Sequence, residues 1–461
     1  MEIILPDGVF QVISKFLKAD YRIYLVGGAV RDLLLKKPHK DWDLTTDATP
    51  EQILEIFPDG FYENTFGTVG IKLSAFSNQS SAGNSMNEIL EVTTMRQEGE
   101  YKDSRRPSEV SWTKEINEDL ARRDFTINAI AIELDSGHAK PIIVDPFSGQ
   151  EDLKKKLIRA VGDADIRFGE DALRLMRAVR IATQLGFEIE EKTFESIKKN
   201  ASLIKNISGE RIRDELFKIL KDKAAFKGIV LLRECGILEQ ILPEVTDCFG
   251  VLQEGPKHDR VYDIGEHNFL ALNFCPSDDP LVRLAALLHD IGKKKTYRKD
   301  ATGNVTFFGH ETVGAMMSKG ISERLRLSKR DADRLFRLIR WHMFTVSEHQ
   351  TDSAIRRFIK NVGYENIDDM MAVRVADRLG GGTITETSWR TEEFKKRIEE
   401  VMQKPFSISD LKITGTDVME ILQITPGRKV GEVLNSLFQE VLADHTKNDK
   451  EYLIEQVKKF S

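Results

Sequence analysis

Two aspartates that follow a pair of glycines are the residues of this sequence best suited to chemistry. Asp41-Trp-Asp43 begins thirteen residues after Gly27-Gly28, where an apolar run gives way to the start of a helix. Glycine lets backbone N–H groups approach a phosphate closely, and a helix N-terminus favours anions. On a strand the two carboxylates share one face, roughly 6–7 Å apart, which suits two Mg²⁺ ions. Asp-x-Asp alone is common in surface turns, but behind Gly-Gly-x-x-Arg-Asp it predicts nucleotidyl transfer.

A second polar pair lies in a helix that we predict over Arg167–Leu185. Asp171 and Arg174 are three residues apart and therefore project from one helix face. Together they can accept from the amino group of cytosine or adenine and donate to the adjacent ring nitrogen, whereas uracil and guanine present a carbonyl there. Elsewhere Asp-x-x-Arg is ordinarily an intrahelical salt bridge. Arg177 and Arg180 continue at three-residue steps, toward phosphates or the pocket wall.

Histidines and aspartates form a third set downstream. Imidazole nitrogens and carboxylate oxygens on several helices can close around a divalent metal such as Mn, Fe, Ni or Mg. One histidine on an apolar helix is usually a core residue, whereas six ligand-type residues in the order shared by a known superfamily, named below, favour a metal site. The six are His267, His289, Asp290, His310, His342 and Asp377.

Composition limits what kind of protein this is. With 461 residues, 41% of them hydrophobic, the chain is long enough for three or four domains. No apolar run reaches about 18 residues and the N-terminus is no signal peptide, so we expect no membrane partner. Three unpatterned cysteines, Cys235, Cys248 and Cys275, favour reduced thiols and a cytoplasmic location.

Charge is distributed unevenly along the chain. The net charge is −6, but residues 154–180 carry eight Lys or Arg against four Asp or Glu. Binding a nucleic-acid backbone requires only such local positive charge, although most charged runs are simply solvated helix faces.

Periodicity predicts an α+β fold, with an α/β head followed by helices. Predicted strands are Ile23–Val26, Val69–Leu73, Ile89–Thr93 and Ile127–Glu133. Ser74–Asn87, rich in Ser, Asn and Gly, reads as an extended hairpin loop. From residue 160 onward the pattern is helical, and Glu210–Leu220 is a second clear amphipathic helix.

Four segments of the first half resemble a known family. They are Tyr24–Asp43, Leu120–Ala131, Asp145–Gly149 with Asp152-Leu153, and Arg167–Arg174. In this order, across residues 20–220, they resemble class II tRNA nucleotidyltransferases, the CCA-adding enzymes and bacterial poly(A) polymerases. The resemblance implies that Asp41 and Asp43 hold Mg²⁺, Gly28 and Arg31 hold the triphosphate, Arg123 and Asp124 position the ribose, and Asp171 and Arg174 read the base. Tyr101–Glu118 corresponds to the family's flexible loop.

The later segments carry two further resemblances. The histidine and aspartate set resembles the HD metal-dependent phosphohydrolase superfamily, with His267, His289, Asp290 and Asp377 as basic ligands and His310 and His342 as the extra histidines of two-metal members. The metal implied is Mg, Mn, Ni or Co. Residues 411–437 resemble the tRNA-binding body and tail of the class II tRNA nucleotidyltransferases, although a plain helical packing unit explains them equally well.

These resemblances together imply four domains and one main activity. The expected domains are a nucleotidyltransferase head at 1–150, a helical neck with the base-reading helix at 151–250, an HD domain at 255–390 and a tRNA-binding body and tail at 391–461. The expected activity is template-independent addition of CCA, from CTP and ATP, to the tRNA acceptor end, with hydrolysis of damaged 3′ ends by the HD domain.

Several alternatives stay open. An A-adding enzyme and a bacterial poly(A) polymerase share the head, although Phe66–Leu73 looks like the CCA-adding branch. The chain could also be an HD phosphohydrolase with a vestigial head, or a tRNA-binding chaperone, which the intact Asp41, Asp43 and glycine turn disfavour. The sequence leaves the oligomeric state open.

Overall fold

The computed structural model describes residues 5–38, 42–62, 67–73, 89–99, 110–134, 141–253, 263–301, 303–344, 351–383, 385, 389–402 and 408–460. The chain forms two compact units, Met1–Thr246 with Arg324–Arg326 and Asp247–Glu323 with Leu327–Ser461. Within the described ranges, no helix combines the length and the apolar character needed to cross a membrane.

A seven-stranded mixed sheet organises the first unit. The unit's strands are β1 (Ile23–Val26), β2 (Leu44–Thr46), β3 (Phe61–Tyr62), β4 (Thr68–Lys72), β5 (Ile89–Thr94), β6 (Arg96–Glu98), β7 (Val110–Trp112), β8 (Ala131–Leu134), β9 (Ile142–Val144), β10 (Leu157–Ile158) and β11 (Glu188–Ile189). The sheet order is β3-β4-β5-β2-β1-β8-β9; β6 pairs with β7, and β10 with β11. Within the seven-stranded sheet only β2 and β5 pair in parallel among the described strands. β1 is buried along its whole length, as expected for the apolar run Ile-Tyr-Leu-Val.

In the first unit, helices alternate with the strands of the sheet and predominate after β9. They are α1 (Asp7–Lys18), α2 (Gly27–Leu34), α3 (Pro50–Ile56), α4 (Ile116–Ala121), α5 (Gly149–Lys155), α6 (Ala164–Glu170), α7 (Leu173–Leu185), α8 (Glu191–Asn200), α9 (Gly209–Lys221), α10 (Ala225–Glu234), α11 (Ile237–Ile241) and α12 (Pro243–Thr246). Local sequence fixes their ends. Thr49 and Gln52 form a capping box at the start of α3, and α7 stops at Gly186 with φ +69°.

Beyond Thr246 the fold is almost entirely helical. The elements are α13 (Ile264–Phe274), α14 (Pro280–Leu288), α15 (Lys293–Thr296), β12 (Arg298–Lys299), β13 (Val305–Thr306), α16 (His310–Arg324), α17 (Lys329–Trp341), α18 (Asp352–Val362), α19 (Ile367–Gly380), α20 (Trp389–Met402), α21 (Gly415–Leu422), α22 (Arg428–Ala443) and α23 (Lys450–Lys458). α13 packs against α14 and α19. α21, α22 and α23 share a separate apolar core around Val418, Leu437 and Leu453. The expected α+β class, a sheet-containing head followed by helices, is confirmed.

One predicted strand is partly wrong. The strand expected over Ile127–Glu133 begins only at Ala131, because Thr126–Asn128 forms a 3₁₀ turn. Within the turn the Asn128 side chain donates to Asp124 Oδ1 at 3.1 Å and accepts from Arg31 Nη1 at 3.0 Å. The turn therefore places a polar side chain where strand alternation predicted only sheet.

The helix expected over Arg167–Leu185 is also wrong as a single element. α6 ends at Glu170, Asp171 is extended with φ −139° and ψ 102°, and α7 begins at Leu173. The Asp171 carboxylate accepts from the Leu173 N–H at 3.1 Å, a local side-chain bond of the kind that competes with helix continuation.

The two predicted loops fall largely outside the described residues. Ser74–Asn87 lies outside them altogether, but β4 and β5 on either side pair as the expected antiparallel hairpin. Of Tyr101–Glu118, residues 101–109 lie outside them, and the remainder contains β7 and the start of α4.

Candidate active sites

The glycine turn brings backbone close to charged side chains. β1 passes directly into α2 at Gly27, whose φ is +69°. A Cβ on Gly27 would lie 3.1 Å from Arg123 Nη1 and 3.3 Å from Asp43 Oδ2. The backbone conformation therefore favours glycine, and a Cβ would crowd both charged groups, as expected for a phosphate-binding turn.

Asp43 stands beside a carboxylate that sequence reasoning missed. Asp43 immediately precedes β2, and its carbonyl accepts from the Val26 N–H at 3.0 Å. Because β2 and β5 run in parallel, with Leu44 opposite Val92, Glu91 occupies the position next to Asp43. Both line a cavity of about 310 Å³. Two carboxylates facing one cavity are the oxygen donors that Mg²⁺ prefers, so these residues fit the metal expected there. Asp41 lies outside the described residues.

A second cavity, of about 570 Å³, gathers the predicted nucleotide-binding residues. We call it the arginine cavity because seven arginines line it. Its lining residues are Gly27, Gly28, Arg31, Asp43, Arg122, Arg123, Asp124, Asn128, Asp171, Leu173, Arg174, Arg177, Arg180, Ile181 and Arg211. Every residue that the sequence predicted for catalysis of nucleotidyl transfer or for nucleotide binding, and that the structure describes, is among them.

Each arginine of the cavity is held by a carboxylate. The pairs are Arg31–Asp32, Arg122–Asp119, Arg123–Asp119, Arg174–Glu170, Arg177–Asp124, Arg180–Glu215 and Arg211–Asp171, at 2.5–3.1 Å. Asp119 and Glu215 are buried, so acidic groups form a layer behind the guanidinium groups. Guanidinium groups fixed in this way are preorganised to bind phosphate oxygens.

The predicted base-reading pair is brought to the cavity by two different elements. Arg174, on α7, donates to Glu170 Oε2 at 2.6 Å, to the Arg122 carbonyl at 2.9 Å and to the Arg167 carbonyl at 3.2 Å. Asp171, in the break before α7, accepts from Arg211 Nη1 at 3.3 Å and Nη2 at 2.8 Å. The expectation that both project from one helix face is wrong, yet both line the cavity.

Arg211 is a further residue that sequence reasoning missed. It lies on α9, a helix predicted from its apolar periodicity, but its partner stands forty residues earlier. A charged residue on an amphipathic helix gives no local signal of such a contact.

Asp124 is buried beneath the cavity. It accepts from Arg177 Nη2 at 2.6 Å and from Asn128 Nδ2 at 3.1 Å. Burial raises the pKa of Asp124, but Arg177 and Asn128 lower it further, to about 2. Because this folded-state pKa lies below the usual value, the carboxylate stabilises the fold above about pH 4 and loses that effect as the pH falls toward 2.

We expect Arg177→Met to lower the free energy of unfolding by about 3 kcal/mol at pH 7, because it leaves the Asp124 charge buried without its cation. The value lies at the lower end for buried pairs because the Arg177 side chain is 35% exposed. Urea denaturation at pH 7 and pH 3 measures it. The destabilisation should shrink at pH 3 and in the Asp124→Asn background. A loss that is the same in both backgrounds would contradict the pairing.

The second unit contains the predicted histidine and aspartate set. We call these six residues the histidine cluster: His267 on α13, His289 and Asp290 at the end of α14, His310 at the start of α16, His342 at the end of α17 and Asp377 on α19. Five helices thus converge on one point. Two triads that could hold a metal ion are present, His267–His289–Asp290 and Asp290–His310–His342, each with its ligand atoms within 4.8 Å of one another.

Asp290 connects the two triads. Its Oδ2 lies 3.3 Å from both His267 Nε2 and His289 Nε2, and its Oδ1 lies 3.2 Å from His310 Nε2. Asp377 Oδ1 adds a further oxygen, 3.4 Å from His267 Nε2.

Backbone carbonyls orient three of the imidazoles. The Nδ1 atoms of His289, His310 and His342 lie 2.8, 2.9 and 2.7 Å from the carbonyls of Ala286, Phe307 and Ile339. An Nδ1–H that donates to a carbonyl leaves the Nε2 lone pair for a metal. The donor set therefore fits a divalent cation.

The pKa shifts of two histidines in the cluster also favour a bound cation. Burial lowers the pKa of His289, but Asp290 and Asp377 raise it more strongly, to about 10. Burial and the neighbouring His289 lower the pKa of His342 to about 4. A bound cation would take the place of the His289 proton. Lys293 Nζ lies 2.5 Å from Asp290 Oδ2. The sequence analysis did not identify Lys293 as a site residue, although it follows Asp290 by three positions.

Comparison with protein families covers most of the chain. Residues 23–159 match the poly A polymerase head domain, and residues 186–249 match the family described as 'Probable RNA and SrmB-binding site of polymerase A'. Residues 259–380 match the HD domain, and residues 341–457 match tRNA nucleotidyltransferase domain 2.

Individual relatives extend the match over the full length. The chain is 35% identical to the A-adding tRNA nucleotidyltransferase of Deinococcus radiodurans over 70% of this chain and 74% of the relative. It is 30% identical to the CCA-adding enzyme of Lactococcus lactis subsp. cremoris over 99% of this chain and 97% of the relative. The CCA-adding enzyme of Bacillus stearothermophilus in complex with CTP is 25% identical, with a TM-score of 0.69 and coverage of 99% and 98%. The chain therefore belongs to the tRNA nucleotidyltransferase family and carries an HD domain.

Proposed function

We propose that this enzyme adds CCA to the 3′ end of tRNA from CTP and ATP. The observation that carries the proposal is the arginine cavity, where the glycine turn, Asp43 and the pair Asp171 and Arg174 face one space. That space is of a size typical of small-ligand pockets and has a cationic lining, which suits a nucleoside triphosphate.

Each group of the cavity takes one part of the nucleotide. The backbone at Gly28 and the Arg31 guanidinium hold the triphosphate, and Arg177 and Arg180 add positive charge further along α7. Arg123 lies against the turn and, with Asp124 behind it, positions the ribose.

Asp41, Asp43 and Glu91 would hold Mg²⁺ at the reacting phosphate. Bound there, Mg²⁺ would lower the pKa of the terminal 3′-hydroxyl and neutralise the charge of the departing pyrophosphate. Asp43 lies beside the glycine turn, so a metal held there would act next to the triphosphate that the turn binds.

Base selection rests on Asp171 and Arg174. Arg174 is immobilised by Glu170 and two carbonyls, which makes it a fixed donor. Asp171 supplies the acceptor for the amino group of cytosine or adenine, and Arg211 holds its carboxylate in place. Uracil and guanine lack a donor at that position and leave Asp171 without its bond.

We expect Asp171→Ala to reduce discrimination against UTP and GTP by roughly 1–3 kcal/mol, or about 5- to 150-fold, because the amino group loses its acceptor. Single-nucleotide addition kinetics with each triphosphate measure the ratio. Arg211→Ala should act in the same direction but less, and Arg213→Ala, on the same helix, serves as the matched control. If Asp171→Ala lowers only the overall rate, with the ratio unchanged, the residue is structural.

The decisive test of the main activity uses tRNA that lacks CCA. The protein is incubated with each labelled nucleoside triphosphate, singly and in pairs, and the RNA ends are sequenced. We expect two cytidines and then one adenosine. A protein that adds nothing to this tRNA but adds adenosine to tRNA ending in CC would be an A-adding enzyme. This is the main alternative, because the Deinococcus relative is an A-adding tRNA nucleotidyltransferase. A long adenosine tail would assign a poly(A) polymerase.

We also propose that the histidine cluster hydrolyses phosphate esters at damaged RNA 3′ ends, such as 2′,3′-cyclic phosphates. A bound divalent cation would polarise the phosphate and supply hydroxide near neutral pH. His267, His289, Asp290, His310, His342 and Asp377 would hold it. The alternative of an HD phosphohydrolase with a vestigial head is disfavoured by Asp43, Glu91 and the paired arginines of the arginine cavity.

The division into head, neck, HD domain and tail at 1–150, 151–250, 255–390 and 391–461 remains our proposal for the domains. A cytoplasmic location is likewise proposed. It is supported by the three free cysteines, all buried, since free thiols are typical of reducing compartments.

A further inference from the structure

A side-chain amide joins two ion pairs within the arginine cavity. Asn128 lines the cavity and is buried. Its Oδ1 accepts from Arg31 Nη1 at 3.0 Å, and its Nδ2 donates to Asp124 Oδ1 at 3.1 Å. Arg31 is paired with Asp32, and Asp124 is paired with Arg177. The five side chains therefore form one series of hydrogen bonds, which runs from α2 through the 3₁₀ turn to α7.

Only one orientation of the Asn128 amide fits its two partners. A guanidinium offers N–H donors and no acceptor, whereas an ionised carboxylate offers acceptors and no donor. If the amide were reversed, its NH₂ group would face the Arg31 guanidinium and its oxygen would face the Asp124 carboxylate. A neutral amide therefore satisfies both partners at once and adds no charge between the two ion pairs.

The turn that carries Asn128 is anchored by buried contacts. Thr126 Oγ1 donates to Asp152 Oδ2 at 2.7 Å, and the Thr126 N–H donates to the Arg159 carbonyl at 2.9 Å. The Asn128 N–H donates to the Phe125 carbonyl at 2.9 Å. Thr126 and Asp152 are both buried. Asn128 is thus held by its backbone as well as by its side chain, so its position is well defined relative to both partners.

Arg31 keeps N–H donors for a phosphate after these bonds are made. A guanidinium has five N–H donors. Those of Arg31 make two bonds to Asp32, at 2.8 and 2.9 Å, and one bond to Asn128. The two remaining N–H groups belong to Nη1 and Nη2. Because a planar guanidinium binds phosphate oxygens in a fixed direction, the side chains that orient Arg31 also orient the phosphate that it binds.

We propose that Asn128 is a positioning residue for nucleotidyl transfer. It holds the Arg31 guanidinium, which binds the triphosphate, in register with the Asp124–Arg177 pair on α7, the helix that also carries Arg174. The triphosphate and the base are thereby held at a defined separation. Asn128 acts through Arg31 and takes no part in the transfer itself. The inference rests on the proposed binding of a nucleoside triphosphate in the arginine cavity.

The first test measures CTP addition by the full-length protein to tRNA that lacks CCA. We expect Asn128→Ala to raise KM for CTP about tenfold, the effect of one hydrogen bond to a charged group, with kcat within about twofold of wild type. In an Arg31→Met background the same substitution should leave KM unchanged, because the residue through which Asn128 acts is gone. Asn200→Ala is the matched control, since its Nδ2 donates to Asp165 Oδ1 at 2.8 Å outside the arginine cavity.

Binding gives a readout that does not depend on turnover. Calorimetric titration with inorganic tripolyphosphate and Mg²⁺, a probe without base or ribose, should show about tenfold weaker binding to Asn128→Ala and no change for Asn200→Ala. Equal affinity of wild type and Asn128→Ala for this probe would overturn the proposal.

Two kinetic results would also overturn it. One is a KM change that multiplies when Arg31→Met and Asn128→Ala are combined, because the two residues would then act separately. The other is an unchanged KM with a lower unfolding temperature, which would assign Asn128 to fold stability alone. If the wild-type protein adds no nucleotide to tRNA, the proposed function fails, and the titration alone then decides whether Asn128 positions Arg31.

Discussion

Asp43→Ala should abolish nucleotide addition while tRNA still binds. Asp43 faces Gly27 and stands beside Glu91, where carboxylates would hold the ions that stabilise transition-state charge. Because the ions lose one of their proposed ligands, we expect a loss of about a thousandfold or more. Single-turnover addition to tRNA lacking CCA measures the rate, and a filter-binding assay measures tRNA affinity.

The same loss is expected for Asp41→Ala, on the sequence pattern alone, and for Glu91→Ala. Asp59→Ala, an exposed aspartate of the same head, is the matched control and should keep wild-type activity. Addition within tenfold of wild type in either Asp41→Ala or Asp43→Ala, with thermal unfolding unchanged, would rule out the two-metal assignment.

Asp290→Ala should remove metal-dependent hydrolysis and leave CCA addition intact. The carboxylate is buried, and its two oxygens serve different triads, so its loss removes a ligand from both. The head has its own carboxylates, which is why addition should continue. Hydrolysis of adenosine 2′,3′-cyclic phosphate with Mg, Mn, Ni or Co, together with the metal content of the purified protein, measures the effect.

Asp278→Ala provides the control for this substitution, because Asp278 lies twelve residues earlier with its side chain 85% exposed. Two results would contradict the expectation. One is a wild-type protein without phosphohydrolase activity under any of these metals, and the other is loss of CCA addition in a folded Asp290→Ala protein.

The sequence predicted the features that depend on short stretches of chain. β1 and the glycine turn, α9 and the hairpin of β4 and β5 follow from local periodicity, and the structure contains them. The six residues of the histidine cluster also converge, and the sequence predicted this through a resemblance to a known superfamily.

Features that depend on contacts between distant segments were missed. Glu91 reaches Asp43 only because β5 pairs in parallel with β2, and the sequence does not specify that pairing. Arg211 reaches Asp171 across a helix break that the apolar periodicity of α7 concealed. In both cases the residue type gave no signal, because charged residues on strands and helices are ordinarily solvated.

The single carboxylate shared by the two triads has an evolutionary consequence. Loss of any one histidine of the cluster removes a ligand from one triad, whereas loss of Asp290 weakens both at once. Position 290 is therefore the one residue of the cluster on which both triads, and with them the proposed hydrolysis, depend. If relatives exist that keep these helices without hydrolysis, we expect position 290 to be among their substituted residues, because one change there affects both triads.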